Sequence, residues 1–251
     1  MKMDIIKTES ITKKFGDFTA VDNVDLFIQQ DETVGMIGPN GAGKTTFLNL
    51  LTGFYPPDKG TVFYEGKDIT GLSPEKRVSL GIIRTFQLVR VFDNLKVREN
   101  LGLSYYRRKE GKSFPLNIFV SRLSGLPIRE RINETLQMFE LDRLAEEMTG
   151  NLSLGSKRRL EIAMAFIADP KLLTLDEPFA GLSDWELEEI ITIVKQHRKN
   201  KTIFIVEHKI SKLLGLVDRL VVMHEGRIVA SGPPEETLED PEVRRVYWKV
   251  K

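Results

Sequence analysis

A glycine-rich segment near the N-terminus most constrains how this chain can fold. Residues 38–46 have the sequence GPNGAGKTT and match the pattern G-x-x-x-x-G-K-[ST]. An apolar run at 33–37 precedes them and a helical pattern at 44–51 follows. Such a loop turns several N–H groups toward one anion, and the new helix adds about half a positive charge at its N-terminus. The sequence therefore predicts an α/β fold with a nucleoside triphosphate site at this loop.

The residue types within the loop fit the groups of a triphosphate. Gly38, Gly41 and Gly43 let the backbone turn tightly. Lys44 brings a full positive charge to the outer phosphates, and the Thr45 hydroxyl is placed to ligate Mg²⁺. We expect nucleotide contacts along the whole segment, which comprises Gly38, Pro39, Asn40, Gly41, Ala42, Gly43, Lys44, Thr45 and Thr46.

Two adjacent carboxylates end a later apolar strand. Residues 171–178 have the sequence KLLTLDEP, so Asp176 and Glu177 follow the strand directly. In open α/β sheets, ligands bind at the carboxyl ends of the strands. We expect Asp176 to hold Mg²⁺, directly or through water, and Glu177 to orient or deprotonate the attacking water. A positioned base contributes typically ~10²–10⁴-fold in rate.

The remaining strand patterns predict how the sheets are built. Residues 5–28 mix β-branched with turn-forming residues, as short strands would, and residues 60–68 alternate and then turn at Glu-Gly like a hairpin. A second hairpin is predicted around the His-Glu-Gly turn of 219–230. Apolar runs at 172–175 and 202–206 suit a parallel sheet that is covered on both faces.

Composition excludes several classes of protein. Cysteine is absent, so neither a disulfide framework nor a thiolate metal site forms. The net charge of +1 argues against nucleic acid as a partner. The chain has no run of about 18 apolar residues, so we expect it not to span a membrane and to reach any membrane through a partner.

The order of the motifs carries a family resemblance. Between the loop and the acidic pair lie Gln87, after a strand, and a helix start with the sequence LSLGS at 152–156. His208 follows the next apolar strand. This ordered set resembles the ATP-binding cassette (ABC) ATPases, nearly end to end. In that family the helix start usually has the sequence Leu-Ser-Gly-Gly-Gln and is called the signature. The simpler alternative is a serine-capped helix, because Ser153 is a good N-cap, and both can hold together.

The resemblance implies roles for the polar residues of these motifs. The Ser153 hydroxyl and the Gly155 N–H approach the γ-phosphate that another subunit holds. The Gln87 amide senses Mg²⁺ and the attacking water. His208 bonds the γ-phosphate, so the catalytic residues are Glu177, His208 and Gln87. The Mg²⁺ ligands are Thr45, Gln87 and Asp176.

The nucleotide implied by the resemblance is ATP. Phe15 lies where the family places an aromatic ring that stacks on adenine, and Phe18 is a close rival. A core position is the alternative for Phe15.

Three positions depart from the family pattern. Leu154 and Ser156 replace a glycine and the glutamine of the signature. Ser183 stands where the loop after the acidic pair commonly has aspartate, and Asp184 follows it. We expect a working signature that closes the dimer more weakly.

The resemblance also implies a domain organisation. We expect one nucleotide-binding domain over 1–251 with the fold of a P-loop NTPase, which is a mainly parallel sheet with helices. The core and an antiparallel β subdomain occupy 1–93 and 164–251. An inserted helical subdomain occupies 94–163.

Partners follow from the same resemblance. Each nucleotide site of this family is completed by the signature of a second ABC ATPase subunit, so we expect a homodimer or heterodimer. The run RTFQLVRVFDNLKVRENL at 84–101 is similar to the ATPases of branched-chain amino acid importers. This implies a peripheral protein at the cytoplasmic face of the cell membrane, with membrane permease subunits as partners and, indirectly, a solute-binding protein. We expect Val89, Val91 and Phe92 to line a groove for a permease helix, or else to pack within the helical region.

Other functions fit parts of the same pattern. Urea or amide importers and the lipopolysaccharide exporter ATPase resemble the C-terminal segment 218–247. A soluble, non-transport ABC ATPase belongs to another functional class, but such proteins usually carry two cassettes or a long coiled coil in one chain. A small-molecule kinase or GTPase should lack the Ser-x-Gly helix start.

Overall fold

The strand patterns of the sequence correspond to two sheets in the computed structural model, which describes residues 3–110, 126–208 and 210–248. The strands in chain order are β1 (Asp4–Phe15), β2 (Phe18–Gln29), β3 (Thr33–Ile37), β4 (Lys59–Tyr64), β5 (Lys67–Asp68), β6 (Ile82–Arg84), β7 (Leu172–Asp176), β8 (Thr202–Val206), β9 (Arg219–His224) and β10 (Arg227–Gly232). The helices are α1 (Lys44–Thr52), α2 (Pro74–Leu80), α3 (Val97–Glu110), α4 (Leu126–Met138), α5 (Leu154–Ile167), α6 (Asp184–His197), α7 (Pro234–Glu239) and α8 (Pro241–Trp248).

The chain divides into two compact units. The first contains both sheets and comprises Met1–Arg84, Lys171–Pro178 and Arg198–Lys251. The second contains α3 to α6 and comprises Thr85–Pro170 and Phe179–His197. The subdomain limits proposed from the sequence stay a prediction, and residues 111–125 of the expected helical segment lie outside the described residues.

The larger sheet of the first unit confirms the predicted α/β class. Its order is β10-β9-β3-β8-β7-β6, and every pair is parallel except β9 with β10. Each residue of β3, β7 and β8 is buried, as continuous apolar runs predict for a sheet covered on both faces. Both predicted hairpins are present. Each turns through two residues with positive φ, Glu65-Gly66 and Glu225-Gly226.

The smaller sheet is antiparallel, in the order β2-β1-β4-β5, and corrects one prediction. The short strands expected over 5–28 are two strands of twelve residues each. Ser10 and Asn23 have φ of 52°, and the β1–β2 pairing shifts register between Thr8 and Ile11. Their polar side chains thus mark irregularities within long strands instead of strand ends.

One hydrophobic core joins α1 to strands of both sheets. Phe47 on α1 is fully buried and packs edge-on against Phe204 of β8, with ring centroids 6.5 Å apart. Ile6 of β1 and Val62 of β4 belong to the same cluster. Burying one such side chain contributes about 1.5–3 kcal/mol, so the helix that follows the glycine loop is anchored in place.

The second unit has a helical core of its own. Phe139, just after α4, packs edge-on against Phe166 of α5 with centroids 5.2 Å apart. Ser104 on α3 donates to the Met164 carbonyl at 2.6 Å. The apolar side chains at helical spacing along α5 are buried, namely Leu160, Ile162, Ala163, Phe166 and Ile167. In the described parts of the chain, we find no helix whose length and hydropathy would suit a bilayer-crossing segment.

A buried arginine fixes the C-terminal end of α1. The guanidinium of Arg77, on α2, donates to five backbone carbonyls, those of Leu50, Leu51, Ile69, Thr70 and Leu72. Two of these carbonyls end α1, where the last turn lacks intrahelical donors. Burial lowers the pKa of Arg77 to about 10.

Replacing Arg77 by methionine should destabilise the protein strongly, because several buried carbonyls lose their donors. We expect the free energy of unfolding to fall by about 3 kcal/mol or more in urea denaturation. Lys76→Met on the exposed side of the same helix is the matched control, with an expected change within about 0.5 kcal/mol. Equal effects of the two substitutions would contradict this role for Arg77.

Candidate functional site

The glycine loop lies between β3 and α1, as the sequence predicted. Ala42 N–H donates to the Pro39 carbonyl at 3.2 Å and Phe47 N–H to the Gly43 carbonyl at 2.8 Å, which closes the turn into the helix. The tip of the β9–β10 hairpin supports the loop, because Gly226 N–H donates to the Ala42 carbonyl at 2.9 Å. Backbone hydrogen bonds within the first unit therefore fix the conformation of the loop.

Glycine is required at two loop positions for different reasons. Gly43 has φ of 102°, and a Cβ there would lie 2.3 Å from the Ala20 carbonyl oxygen. Gly38 has ordinary φ, but its Cβ would lie 2.2 Å from the Met223 carbonyl oxygen. Backbone oxygens cannot move aside as a flexible side chain can, so a larger residue at either position would deform the loop.

Lys44 is buried at the first turn of α1. Its Nζ donates to the carbonyls of Gly38 at 2.7 Å and Pro39 at 3.1 Å, so the side chain folds back over the loop. Burial lowers the pKa of Lys44, and the carboxylates of Glu177, Asp176 and Glu207 oppose that shift. Lys44 therefore lies within the electrostatic influence of three carboxylates at the predicted phosphate site. Thr45 is exposed, Thr46 is half-buried, and Asn40 is exposed.

The register of the sheet brings the acidic pair to this loop. Met36 of β3 and Asp176 of β7 both pair with Val206 of β8, so the three strands end at the same level. Glu177 N–H donates to the Val206 carbonyl and Glu207 N–H to the Met36 carbonyl, both at 2.9 Å. The carboxyl edge of the sheet thus gathers residues far apart in sequence, as expected for an open α/β fold.

Glu177 and His208 lie close together at this edge. His208 Nδ1 is 3.9 Å from Glu177 Oε2 and 3.7 Å from Glu207 Oε2. Glu177 has φ of 45°, a left-handed conformation that non-glycine residues rarely adopt. Such conformations are held in place only by surrounding structure and are concentrated at functional sites. Glu207 is fully buried and was not among the predicted site residues.

The oxygen donors of this edge fit Mg²⁺. The Thr45 hydroxyl and the Asp176 carboxylate are hard ligands of the kind this ion prefers. Mg²⁺ in nucleotide sites is typically held by one or two protein oxygens together with the phosphates. In the described portions of the chain, no group of three or more His, Asp or Glu side chains is arranged so that it could hold a metal ion by itself.

Phe15 ends β1 and is not a core residue. Its side chain is 46% exposed, and Phe18, paired with it across the hairpin, is 63% exposed. The ring of Phe15 packs edge-on against Tyr55 at 5.6 Å and lies 5.8 Å from the Lys13 ammonium. The core alternative for Phe15 was therefore wrong, because nearly half of its side chain is exposed.

Gln87 belongs to the second unit, where a buried ion pair supports its backbone. Arg158 Nη2 donates to the Gln87 carbonyl at 2.6 Å and Nη1 to the Phe86 carbonyl at 2.8 Å. Arg158 also pairs with Glu161 at 2.7 Å, and burial raises the pKa of Glu161 against the opposing charge of Arg158. Glu161 in turn accepts from the N–H groups of Phe86 and Arg90. The sequence analysis did not identify this pair.

The signature-like segment begins α5. Ser153 is the N-cap, and its Oγ accepts from Ser156 N–H at 3.1 Å, so the capping alternative is confirmed. Ser156, which replaces the signature glutamine, also contacts the cap, because Ser153 Oγ donates to Ser156 Oγ at 3.1 Å. Ser153 and Leu154 are exposed, whereas Gly155 is buried. The Ser153 hydroxyl thus accepts from Ser156 N–H and donates to Ser156 Oγ, so a contact with a phosphate oxygen would require its O–H to rotate away from Ser156.

Glu186 explains why Gly155 is buried. The carboxylate of Glu186 accepts from Ser183 N–H at 3.0 Å and Ser183 Oγ at 2.6 Å. These bonds lower the pKa of Glu186 and keep it ionised. A Cβ at position 155 would lie 2.0 Å from Glu186 Oε1. Ser183, which stands where the family commonly has aspartate, therefore holds Glu186 against the signature glycine.

Chains with known functions or structures resemble this one over nearly its whole length. The family model for the ABC transporter matches residues 21–180. The high-affinity branched-chain amino acid transport ATP-binding protein LivG of Salmonella typhimurium is 36% identical over 98% of both chains. The ADP conformation of an ATP-binding cassette of an ABC transporter has a TM-score of 0.82, with 35% identity over 99% of this chain and 100% of that one. A dimeric post-hydrolysis cassette bound to ADP and Pi has a TM-score of 0.77, with 27% identity over 91% and 98%.

Fold and site together define a phosphate-loop nucleoside triphosphatase. More narrowly, the chain belongs to the ABC transporter family and is an ABC ATPase. The resemblance and fold class expected from the sequence are confirmed.

The contact between Gly155 and Glu186 predicts an energetic coupling. Gly155→Ala forces Glu186 away from Ser183, which costs about 1 kcal/mol and cancels the helix-propensity gain of about 1 kcal/mol. In a Glu186→Ala background that gain should be retained. Urea denaturation of wild type, the two single variants and the double variant should give a coupling of about 1 kcal/mol in the free energy of unfolding.

Glu188→Ala supplies the matched control for this cycle, since Glu188 is an exposed glutamate on the same helix. Gly155→Ala and Glu188→Ala should add without coupling. If the effects of Gly155→Ala and Glu186→Ala on the free energy of unfolding also add, Glu186 does not restrict position 155.

Proposed function

We propose that this chain is the ATP-hydrolysing subunit of an importer for branched-chain amino acids. The observation that carries the proposal is the conjunction at one sheet edge of the Lys44 loop, Asp176, Glu177 and His208. The near full-length similarity to LivG supports the solute class. Urea or amide importers and the lipopolysaccharide exporter remain the runner-up functions, and a soluble non-transport ABC ATPase is the alternative of another class.

Each predicted site residue of the first unit then has a role toward ATP. The loop N–H groups and Lys44 bind the phosphates, and Phe15 stacks on the adenine. Glu177 takes up or orients the proton of the attacking water. His208, within 3.9 Å of Glu177, donates toward the γ-phosphate.

Thr45 and Asp176 would hold Mg²⁺, and Gln87 is the third proposed ligand. When bound, the ion neutralises charge on the phosphate oxygens.

Hydrolysis is proposed to require two subunits. One loop and one signature occur per chain, and the dimeric ADP-bound cassette supports a shared site. Ser153, the signature N-cap, would face the γ-phosphate bound by the partner. ATP binding closes the dimer and hydrolysis reopens it, which drives a separate permease. The exposed Leu88 and Phe92, after Gln87, support a permease contact there, and the protein would lie at the cytoplasmic face of the membrane.

Purification of the chain from its native membranes tests the importer assignment. We expect permease subunits to copurify, and we expect ATPase activity of the complex in vesicles to rise with a solute-binding protein loaded with leucine. Stimulation by urea in place of leucine would favour the runner-up function, and activity independent of any membrane protein would favour the soluble class.

Val91→Asp should reduce this copurification while the isolated protein keeps its melting temperature, because a buried charge would disfavour an apolar contact. The exposed Glu188→Gln serves as its control and should leave copurification unchanged. Normal assembly of the Val91→Asp protein would place the permease contact elsewhere.

A mixture of two inactive variants should regain activity if sites are shared. Lys44→Ala removes the cation that binds the phosphates of its own chain's nucleotide. Ser153→Ala removes the hydroxyl that would contact the nucleotide bound by the partner. A mixed dimer therefore keeps one intact site. Random pairing should give roughly a quarter of the wild-type ATPase rate.

The control mixture combines Lys44→Ala with a chain that carries both substitutions, and it should remain inactive. A Lys44→Ala and Ser153→Ala mixture no more active than its components would contradict a site built from two chains.

A further inference from the structure

One buried arginine of the first unit contacts an acidic residue of the candidate site. Arg84, the last residue of β6, donates from Nη2 to Asp176 Oδ2 at 2.6 Å. The two side chains are 7% and 3% exposed, so solvent does little to screen the pair. The contact therefore restricts the orientation of the Asp176 carboxylate.

The other end of the same guanidinium binds the helix that follows the loop. Arg84 Nη1 donates to Asn49 Oδ1 at 2.6 Å and to Thr52 Oγ1 at 3.1 Å, both on α1. Its guanidinium also lies 5.5 Å from the centroid of the Phe54 ring. Because α1 begins at Lys44, one rigid planar group connects the phosphate-binding helix to Asp176.

The same unit contains a similar pair at the opposite edge of the sheet. Arg219, the first residue of β9, donates to Glu32 at 2.6 Å and stacks on Phe27 at 4.6 Å. Those side chains are 14% and 13% exposed. Structural stabilisation is a sufficient role for that pair, so Arg219 provides a matched reference for Arg84.

We propose that Arg84 is a positioning residue that holds one oxygen of Asp176 and thereby directs the other toward the metal. This inference rests on the proposed function, in which Asp176 is a ligand of Mg²⁺. Arg84 does not touch nucleotide or metal in this scheme. It acts through Asp176 and through the fixed distance from Asp176 to α1.

Two opposing effects of Arg84 on Mg²⁺ binding can be separated. Its positive charge repels the ion, whereas its hydrogen bonds orient the ligand. Mg²⁺ demands nearly ideal octahedral geometry, so we expect orientation to dominate. Loss of Arg84 should then weaken the contribution of Mg²⁺ even though a positive charge has been removed.

Nucleotide affinity with and without Mg²⁺ measures this contribution directly. A fluorescent ATP analogue is titrated into the full-length protein in EDTA and in Mg²⁺. The dissociation constant in EDTA is divided by the dissociation constant in Mg²⁺, and this ratio is compared between variants. Arg84→Met should lower this ratio by about tenfold, as expected for partners of metal ligands. Affinity in EDTA should stay within about twofold, because the loop itself is unchanged.

Three further proteins make the result specific. In an Asp176→Asn background, Arg84→Met should change the ratio no further, because its effect acts through Asp176. Arg84→Lys, which can bond Asp176 but cannot span to α1 as a planar fork, should give an intermediate ratio. Arg219→Met should leave the ratio unchanged although it also removes a partly buried ion pair.

The outcomes separate this inference from the proposed function. If wild-type protein shows no Mg²⁺ enhancement of binding and no hydrolysis, the proposed function fails. If wild type behaves as expected but Arg84→Met leaves the ratio unchanged or raises it, the positioning role is overturned. Should Arg84→Met lose its folded circular dichroism spectrum, Arg84→Lys decides, and a wild-type ratio in that variant rejects the proposal.

Discussion

The first unit depends on one buried cation, the Lys44 ammonium. Its bonds to the carbonyls of Gly38 and Pro39 hold the loop closed, and burial alone would favour the neutral amine. The carboxylates that end β7 and β8 oppose that tendency. The strand register that aligns those ends thus also favours the charged form of the amine. Fold and phosphate recognition are in this sense one constraint.

Buried arginines hold several segments of the chain in position. Arg77 binds the carbonyls that end α1, Arg84 binds Asp176, and Arg158 binds the carbonyl of Gln87. In each case a planar group with several donors fixes a segment whose position matters for the proposed site. Arginine suits this task because its geometry is rigid and its charge is retained even when the pKa falls.

The sequence predicted the parts of this structure that follow local rules. The loop at 38–46, the buried strands and the Ser153 cap follow from periodicity, motif spacing and helix-capping preference. Long-range side-chain pairs such as Arg84 with Asp176 were not predictable, because no local pattern indicates which acid an arginine meets. Glu161 was missed because a charged residue beside apolar neighbours suggests a solvent-facing position, unless its partner three residues earlier is recognised.

The central claim is that a nucleotide bound by the loop of one chain is capped by the serine-led helix of another. A structure of the Glu177→Gln protein with ATP and Mg²⁺ tests it most directly, since loss of the proposed base should trap the closed state. The account predicts a dimer in which Ser153 Oγ and Gly155 N–H donate to the γ-phosphate held by the partner's loop. A closed dimer with both groups directed away from that phosphate would contradict it.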